Sequence, residues 1–435
     1  MSGSDGKTTV GNYFISNYPP YSFWSPEHLP AVDQVLAAPP IDDRPLGIYV
    51  HIPFCRKRCD FCYFKVYTDK NSKEIRRYLE GVKSELAGVI GSPYLAGRKP
   101  RFVYFGGGTP SYLSADQMRD LFAALKDQVD WSEVEEVTYE CEPGTLSLPK
   151  IEALREVGVT RLSLGVENFD PDILEANNRA HRAVEIERTY RFAREVGFPQ
   201  VNIDLIAGMV GETDENWERC VDRTLELAPD SVTIYQLEVP YNTTIYKRMK
   251  DGGQEVAPVA DWETKRRWTK DAFARLCADG YHQSSAYTVC RGEETTFVYR
   301  DSLWHGADML GLGVSSFSHL GGVHFQNEHS FEPYLSRVEA GERPWARAYR
   351  LEPDELLIRE LILQLKTGRI DAASFRRKFG VDVLERFAEP IALHRAAGLL
   401  TLEDGVLRTT EEGFGRVDTL LPAFFQAQHQ NARYA

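Results

Sequence analysis

The sequence predicts an α/β fold: a partial (β/α)6 barrel, preceded by an N-terminal arm and followed by a small C-terminal winged-helix-like domain. Three observations carry this. Six short runs rich in Val, Ile and Tyr, at 47–52, 102–105, 137–141, 161–166, 201–206 and 232–237, read as strands. Helical patterns lie between them, and repeated strand–helix alternation gives a parallel sheet that curls toward a barrel. From Glu352 onward the pattern changes to helices followed by a hairpin. The 435 residues therefore divide into an arm at 1–45, a barrel with its extension at 46–345, and a helical, winged-helix-like unit at 346–435.

Each element has a local cause. Residues 1–10 are polar and Gly/Ser-rich, with no signal-peptide core. The run Asn17-Tyr-Pro-Pro-Tyr-Ser-Phe-Trp24, with Pro39-Pro40 after it, combines prolines and aromatics without periodicity. That predicts an extended arm docked on the body, not a helix; a disordered leader is the competing reading. Ser114 and Gln117 form a capping box, and Met118, Leu121, Phe122, Leu125 and Val129 recur at helical spacing behind it. A helix from about Ile151 stops at Gly158, and one over 184–196 stops at Gly197, glycine being the residue expected just past a helix end. A long helix covers 261–280, followed by the run 284–289 and a motif-rich stretch at 299–322. Helices at 355–365, 372–379 and 383–397 lead to 399–408, where Asp404-Gly405 between apolar runs signals a hairpin.

Composition narrows the function. Hydrophobic residues make up 43%, as in ordinary globular chains, and net charge is −13. An acidic chain is a poor nonspecific binder of nucleic-acid phosphates, and the winged-helix-like part has few clustered cations, so no nucleic acid is expected. No apolar stretch reaches membrane-spanning length, so no membrane is expected. The expected location is cytoplasmic, where thiols stay reduced, and a monomer is expected. Cys141, Cys220, Cys277 and Cys290 are scattered and read as small buried core residues.

The remaining cysteines are different. Cys55, Cys59 and Cys62 stand in His51-Ile-Pro-Phe-Cys-Arg-Lys-Arg-Cys-Asp-Phe-Cys, a C-x-x-x-C-x-x-C spacing just after the first strand. Three clustered thiolates can hold three irons of a cubane [4Fe–4S] cluster and leave the fourth iron open to an exchangeable ligand. A structural zinc site would need a fourth ligand; Asp60 and His51 are near, but no second C-x-x-C follows. An odd, tightly spaced trio suits disulfide pairing poorly.

Barrels place reactive groups at the C-terminal ends of strands, and the other motifs fall there. The second strand ends in Phe105-Gly-Gly-Gly-Thr-Pro-Ser111, whose glycines expose backbone amides and admit a close ligand, or form a tight turn. The third ends in Tyr139-Glu-Cys-Glu-Pro-Gly144, where alternation puts Glu140 and Glu142 on one side; a solvated rim pair is the alternative. The fourth runs into Gly165-Val-Glu-Asn-Phe169, with Arg179 and His181 following. The fifth carries Asn202-Ile-Asp204 in an apolar run, where a carboxylate is costly unless paired, with Arg179 the expected partner. The sixth ends in Tyr235-Gln-Leu-Glu-Val-Pro240.

Together with Tyr49-Val-His-Ile-Pro-Phe-Cys, Leu164-Gly-Val-Glu-Asn-Phe, Asn202-Ile-Asp-Leu-Ile-Ala-Gly and Leu310-Gly-Leu-Gly-Val-Ser-Ser, these motifs resemble those of radical S-adenosylmethionine (SAM) enzymes, within the oxygen-independent coproporphyrinogen III oxidase-like family. The resemblance runs from about Tyr49 to the C-terminus. It implies that the fold is a radical SAM barrel, that Cys55, Cys59 and Cys62 bind the cluster, and that SAM chelates the open iron. An electron then cleaves SAM to methionine and a 5′-deoxyadenosyl radical, which abstracts hydrogen from carbon. Family members can hold a second SAM beside the first. Position by position, Tyr49, Gly107 and Glu140 would contact the first SAM. Phe61, Gly108, Thr109, Arg179 and Asp204 would line the second, together with Glu167. Glu238 and Phe317 fall at further adenosine contacts. His51, a proton donor or iron-side neighbour, joins Glu167 and Tyr49 as the candidate catalytic residues. The implied partners are a small-molecule substrate, either a tetrapyrrole or another unsaturated compound, and an electron donor such as flavodoxin or ferredoxin.

The chain departs from the family pattern at three places. Phe64 stands where the oxidases have a further cysteine, and Glu167 where they have glutamine. The haem-chaperone branch carries a His-Asn pair where this chain reads Tyr299-Arg-Asp-Ser-Leu-Trp304. Three functions follow: an oxidase-like enzyme acting on a tetrapyrrole, a two-SAM radical methylase or cyclopropanase, and a non-catalytic haem carrier. The first expects Arg56, Lys57, Arg58, Lys65 and Arg179 to form a basic pocket for propionates, though a solvated charge cluster explains the first three equally well. The arm at Asn17 to Trp24 is a candidate active-site lid.

Overall fold

A computed structural model describes residues 14–252 and 258–430. The expectations for residues 1–13 and for the end of the C-terminal unit at 431–435 lie outside the described residues. Six parallel strands follow one another in space as in sequence: β1 (Leu46–Ile52), β2 (Pro100–Gly107), β3 (Glu136–Cys141), β4 (Arg161–Glu167), β5 (Gln200–Ala207) and β6 (Ser231–Gln236). The sheet continues beyond them. β7 (Tyr281–Gln283) and β8 (Thr288–Arg291) add antiparallel strands beside β6. On the other side β9 (Asp308–Leu312) pairs parallel to β1, then β10 (Phe317–Leu320), β11 (Val323–Asn327) and β12 (Trp345–Arg350) run antiparallel. The result is a twelve-stranded α/β sheet whose middle is the partial (β/α)6 barrel.

Side-chain alternation builds this barrel. Leu162, Leu164 and Val166 on β4, and Val201, Ile203 and Leu205 on β5, are fully buried in the main core under the helices. Each such side chain contributes roughly 2 kcal/mol by leaving water. The intervening residues face the barrel interior and are polar: Ser163 bonds Asp204, Asn202 bonds Ser231, and Tyr104 bonds Glu140 across neighbouring strands. At the base of β1, Gly47 has to be glycine, because a Cβ there would lie 1.9 Å from the Phe102 ring.

The helices between the strands match their sequence signals. Ser114 and Gln117 make both halves of the capping box on Ala115–Gln128. Gly197 ends Ala183–Val196 at φ 79°, in the left-handed region that favours glycine. Three expectations are corrected. The arm contains a helix, Leu29–Leu36, because Pro30 suits a first helical turn and Val32 and Leu36 bury one face. The helix expected over 383–397 is two, Val383–Arg386 and Ala388–Ala396, broken at Phe387; Pro390 fits the first turn of a new helix and not a continuous interior. Cys277 is exposed, near the end of the helix Trp262–Ala278, and is not a core residue.

The C-terminal unit packs the helices Pro353–Leu365 and Ala372–Phe379 and the pair above against a small sheet of β13 (Arg369–Asp371), β14 (Leu400–Glu403) and β15 (Val406–Thr409), with Asp404-Gly405 as the hairpin turn. This is the winged-helix-like arrangement. Its core includes Ile15 and Tyr18 of the arm. Lys366, fully buried, bonds Asp418 at 2.8 Å and donates to the Ile15 carbonyl, while Ile15 N–H and Tyr287 Oη donate to the same Asp418. Among the described residues no helix is long and apolar enough to cross a membrane.

Removing one partner of a buried ion pair leaves an uncompensated charge. Lys366→Met should therefore cost about 3 kcal/mol, the low end for such a loss because Asp418 keeps its other two donors. A lowered guanidinium midpoint, with faster proteolysis of the arm, is the expected reading.

Candidate active site

The cysteine loop closes on itself at the C-terminal end of β1. Cys55 N–H donates to Tyr67 O, and Tyr67 N–H donates back to Pro53 O. A turn from Cys59 O to Cys62 N–H tightens its far end. Asn178 Nδ2 holds the Arg58 carbonyl at 2.8 Å, and Asn177 O takes the Asp60 amide. Asp60 pairs with Arg248, and His51 Nδ1 lies 3.1 Å from Tyr49 Oη, so neither supplies a fourth ligand beside the sulfurs.

All seven cysteines are free thiols. Two of the clustered sulfurs already accept hydrogen bonds: Cys55 from Thr109 Oγ1 at 3.3 Å, and Cys59 from Arg179 Nη1 at 3.2 Å. Burial pushes the Cys55 thiol up to about 12 and the Cys62 thiol up to about 11, so binding metal there must displace protons. Among the described residues no group of three His, Cys, Asp or Glu converges tightly enough for one metal ion. A cubane asks for less convergence, since each thiolate takes a different iron. The donor set, three sulfurs with hydrogen bonds aimed at two of them, fits a cluster.

Beside the sulfurs stand three carboxyl groups. Glu140, on β3, accepts from Tyr104 Oη at 2.6 Å and from the Gly107 amide at 3.1 Å. Burial pushes it up to about 7, and Tyr104 opposes that rise. Glu167 ends β4 after a bulge, at φ 66°, a left-handed backbone that a non-glycine residue adopts at a cost of about 1 kcal/mol. The bulge turns its carboxyl to Arg179 at 3.4 Å, with both side chains nearly enclosed. Burial pushes Glu167 up to about 7, and Arg179 opposes it. Asp204, on β5, accepts from Ser163 Oγ and Asn202 Nδ2, each at 2.8 Å.

Several sequence expectations shift here. The amides of the glycine turn are taken: Gly107 by Glu140, Gly108 by Ile52 O, Thr109 by Phe54 O. A ligand ammonium would meet carbonyl oxygens there, not N–H groups. Arg179 does not pair with Asp204; it spans Cys59, Glu167 and the Gly165 carbonyl at 2.6 Å. β3 stops at Cys141, so alternation does not carry on to Glu142, which caps the turn Pro143–Thr145 and pairs with Arg56 and His181. The expected basic pocket is dispersed: Arg56 reaches the Gly144 carbonyl, Arg58 the Cys62 carbonyl, and Lys65 the Ser330 hydroxyl. Burial lowers His51 to about 4, which favours the neutral imidazole at neutral pH and speaks against the proton-donor role.

Phe61 packs on a satellite core with Ile206 and Leu237. The arm touches both predicted adenosine positions, since the Phe14 amide bonds Glu238 and the Tyr21 ring lies 4.5 Å from Phe317. Tyr104 and Asn202 emerge as supporting residues that motif reading had not given a role. Their signal was alternation, because both sit on the strand face that carries Glu140 and Asp204.

Hydrogen bonds to cluster sulfurs raise reduction potential. Arg179→Met should therefore lower the potential of the reconstituted cluster, read by electron paramagnetic resonance in a redox titration. An unchanged potential would mean that the Arg179–Cys59 bond does not survive loading.

Residues 49–224 match the Radical SAM superfamily, and residues 351–414 match the HemN C-terminal domain. The oxygen-independent coproporphyrinogen III oxidase of Escherichia coli K12 is 28% identical over 408 residues, covering 90% of this chain and 88% of that protein. The heme chaperone HemW of Bacillus subtilis is 27% identical over 372 residues, covering 84% and 95%. The solved coproporphyrinogen III oxidase HemN from E. coli, described as a radical SAM enzyme, superposes with a TM-score of 0.82 at 27% identity, covering 95% of this chain and 96% of that one. With the cysteine loop at the mouth of a partial (β/α)6 barrel, residues 49–224 form a Radical SAM domain and residues 351–414 a HemN C-terminal domain, and the chain resembles the oxygen-independent coproporphyrinogen III oxidases along most of its length.

Proposed function

We propose that the chain is a radical SAM oxidoreductase that removes hydrogen from a tetrapyrrole. The observation that carries this is a loop of three free thiols after β1, two of them hydrogen-bonded at sulfur, with carboxyl groups on β3, β4 and β5 and Arg179 bridging Cys59 to Glu167. Cys55, Cys59 and Cys62 would hold the cluster. When bound and reduced by a donor such as flavodoxin or ferredoxin, it supplies the electron that cleaves SAM to methionine and a 5′-deoxyadenosyl radical. Tyr49, Gly107 and Glu140 would orient one SAM. Phe61, Gly108, Thr109, Glu167, Arg179 and Asp204 would receive a second. Glu238 and Phe317 would contact adenosine, with the arm lying over both. The division near 346 is supported by two hydrophobic cores, the second drawing also on Ile15 and Tyr18 of the arm and on Ala286 and Trp304; the arm's Ala31, Val32 and Leu36 join the first core, so packing does not set the arm apart at 45.

Anaerobic reconstitution, then dithionite and SAM with and without coproporphyrinogen III, tests this by mass spectrometry of the products. 5′-Deoxyadenosine together with loss of carbon dioxide from the porphyrinogen is the expected result. S-Adenosylhomocysteine with a methylated product would move the reading to a two-SAM methylase. No 5′-deoxyadenosine from cluster-loaded protein would overturn it in favour of haem binding.

A carboxyl that titrates near 7 is neutral below and charged above. SAM carries an ammonium and a sulfonium, so its affinity for cluster-loaded protein should rise between pH 6 and pH 8, by at most about tenfold in all as Glu140 titrates. Equilibrium dialysis should show that rise, and Glu140→Gln should flatten it.

A further inference from the structure

Beneath the mouth of the barrel lies a charged group that the SAM contacts do not use. Arg161 opens β4 and is 1% exposed. It shares a strand face with Ser163, two residues on. Its guanidinium lies 4.0 Å from the Phe297 ring centroid, and Nη2 reaches Ser231 Oγ at 3.4 Å. Nε and Nη1 have no hydrogen-bond partner among the described residues. Glu136, one strand over, accepts from the Val298 and Tyr299 amides and from Thr138; it makes no direct ion pair with Arg161, though the Arg161 charge is the main influence opposing the rise that burial causes in Glu136. A buried cation with no bonded carboxylate is costly and calls for a reason.

The reason lies along a defined chain of hydrogen bonds. Ser231 Oγ and Thr233 Oγ1 donate to Asn202 Oδ1 at 2.8 and 3.1 Å. Because a hydroxyl can donate or accept, the amide is oriented by its other end, whose Nδ2 faces the Asp204 carboxylate. Asn202 Nδ2 then donates to Ser163 Oγ at 3.0 Å and to Asp204 Oδ1 at 2.8 Å, and Ser163 Oγ donates to Asp204 Oδ2 at 2.8 Å. Asp204 thus has both oxygens held by neutral donors, a pattern that suits a carboxylate. The other titratable groups facing it are Glu140 on β3, Glu167 on β4 and Tyr235 on β6, none of them cationic. Arg179 is committed to Glu167 and Cys59. Burial pushes Asp204 up, and Ser163, Arg161 and Asn202 pull it back.

We infer that Arg161 is a positioning residue: the internal counter-charge that keeps Asp204 ionised, with Ser231 and Asn202 fixing the carboxylate's orientation toward a ligand at the barrel mouth. The inference rests on the reading of Asp204 as a contact of the second SAM.

The test separates the two. Infrared spectra of the full chain labelled with ¹³C-carboxyl aspartate, with Asp204→Asn as the assignment control, should show Asp204 ionised at pH 7 in the unsubstituted protein. A protonated Asp204 at that pH overturns the inference without any further variant. Arg161→Met should produce a protonated band at pH 7 that is missing when Asp204→Asn is added, and Arg161→Lys should abolish it; identical titration of Asp204 with and without Arg161 overturns the inference. Dialysis of cluster-loaded protein gives the second readout. Two SAM molecules per chain are expected, with the second at least about tenfold weaker in Arg161→Met at pH 7 and recovering toward pH 9. One SAM in the unsubstituted protein would sink the second-site reading, while the infrared titration would still decide the role of Arg161.

Discussion

A parallel barrel whose inner wall is polar must satisfy every group on that wall, and the rest of this structure follows from that constraint. Water cannot do it freely on the buried inner face of a curled sheet, and an unpaired buried polar group costs one to several kcal/mol. The wall here largely pairs its groups with one another, across strands, along β5 and from the loop that follows β4. Tyr104 serves Glu140, Ser163 and Asn202 serve Asp204, and Arg179 serves Glu167. Each pairing also aims a carboxyl group, so the means of satisfying the wall are the means of building the site.

The same economy appears in the cysteine loop. Its backbone is fixed by hydrogen bonds from Asn178 and to Asn177, residues that follow β4. Arg179, next in sequence, reaches the Cys59 sulfur. One short turn therefore sets both the frame of the loop and the electrostatics of a sulfur. The arm makes a comparable link at longer range: Ile15 and Tyr18 belong to the core of the C-terminal unit, while Phe14 and Tyr21 touch Glu238 and Phe317 at the mouth. Packing in the C-terminal unit and the shape of the mouth are thereby coupled through one segment.

The two departures from the oxidase pattern read differently in three dimensions. Phe64 is 46% exposed and stacks on Tyr63, with ring centroids 4.5 Å apart, so an aromatic surface stands where a fourth thiol would be. Glu167 places an ionisable carboxyl where an amide would stay neutral, and Arg179 faces it at 3.4 Å. Neither change touches the three cysteines themselves.

Much of this was legible in the sequence. The strand runs, the capping box at Ser114, the glycine stops and the order of motifs at strand ends are local signals, and local backbone physics decides them. The cysteine spacing declared its chemistry because three thiols within eight residues have few other uses. What the sequence alone could not decide was pairing. Arg179 lay within reach of Asp204 in any topological sketch, yet the bulge after Gly165 swings Glu167 into that place. The glycine turn looked like a row of free amides, until register brought Glu140, Ile52 O and Phe54 O onto them. The helix at Leu29–Leu36 needed a surface to bury Val32 and Leu36. Partners chosen across strands depend on register, bulges and burial, which are properties of the assembled sheet and not of any one segment.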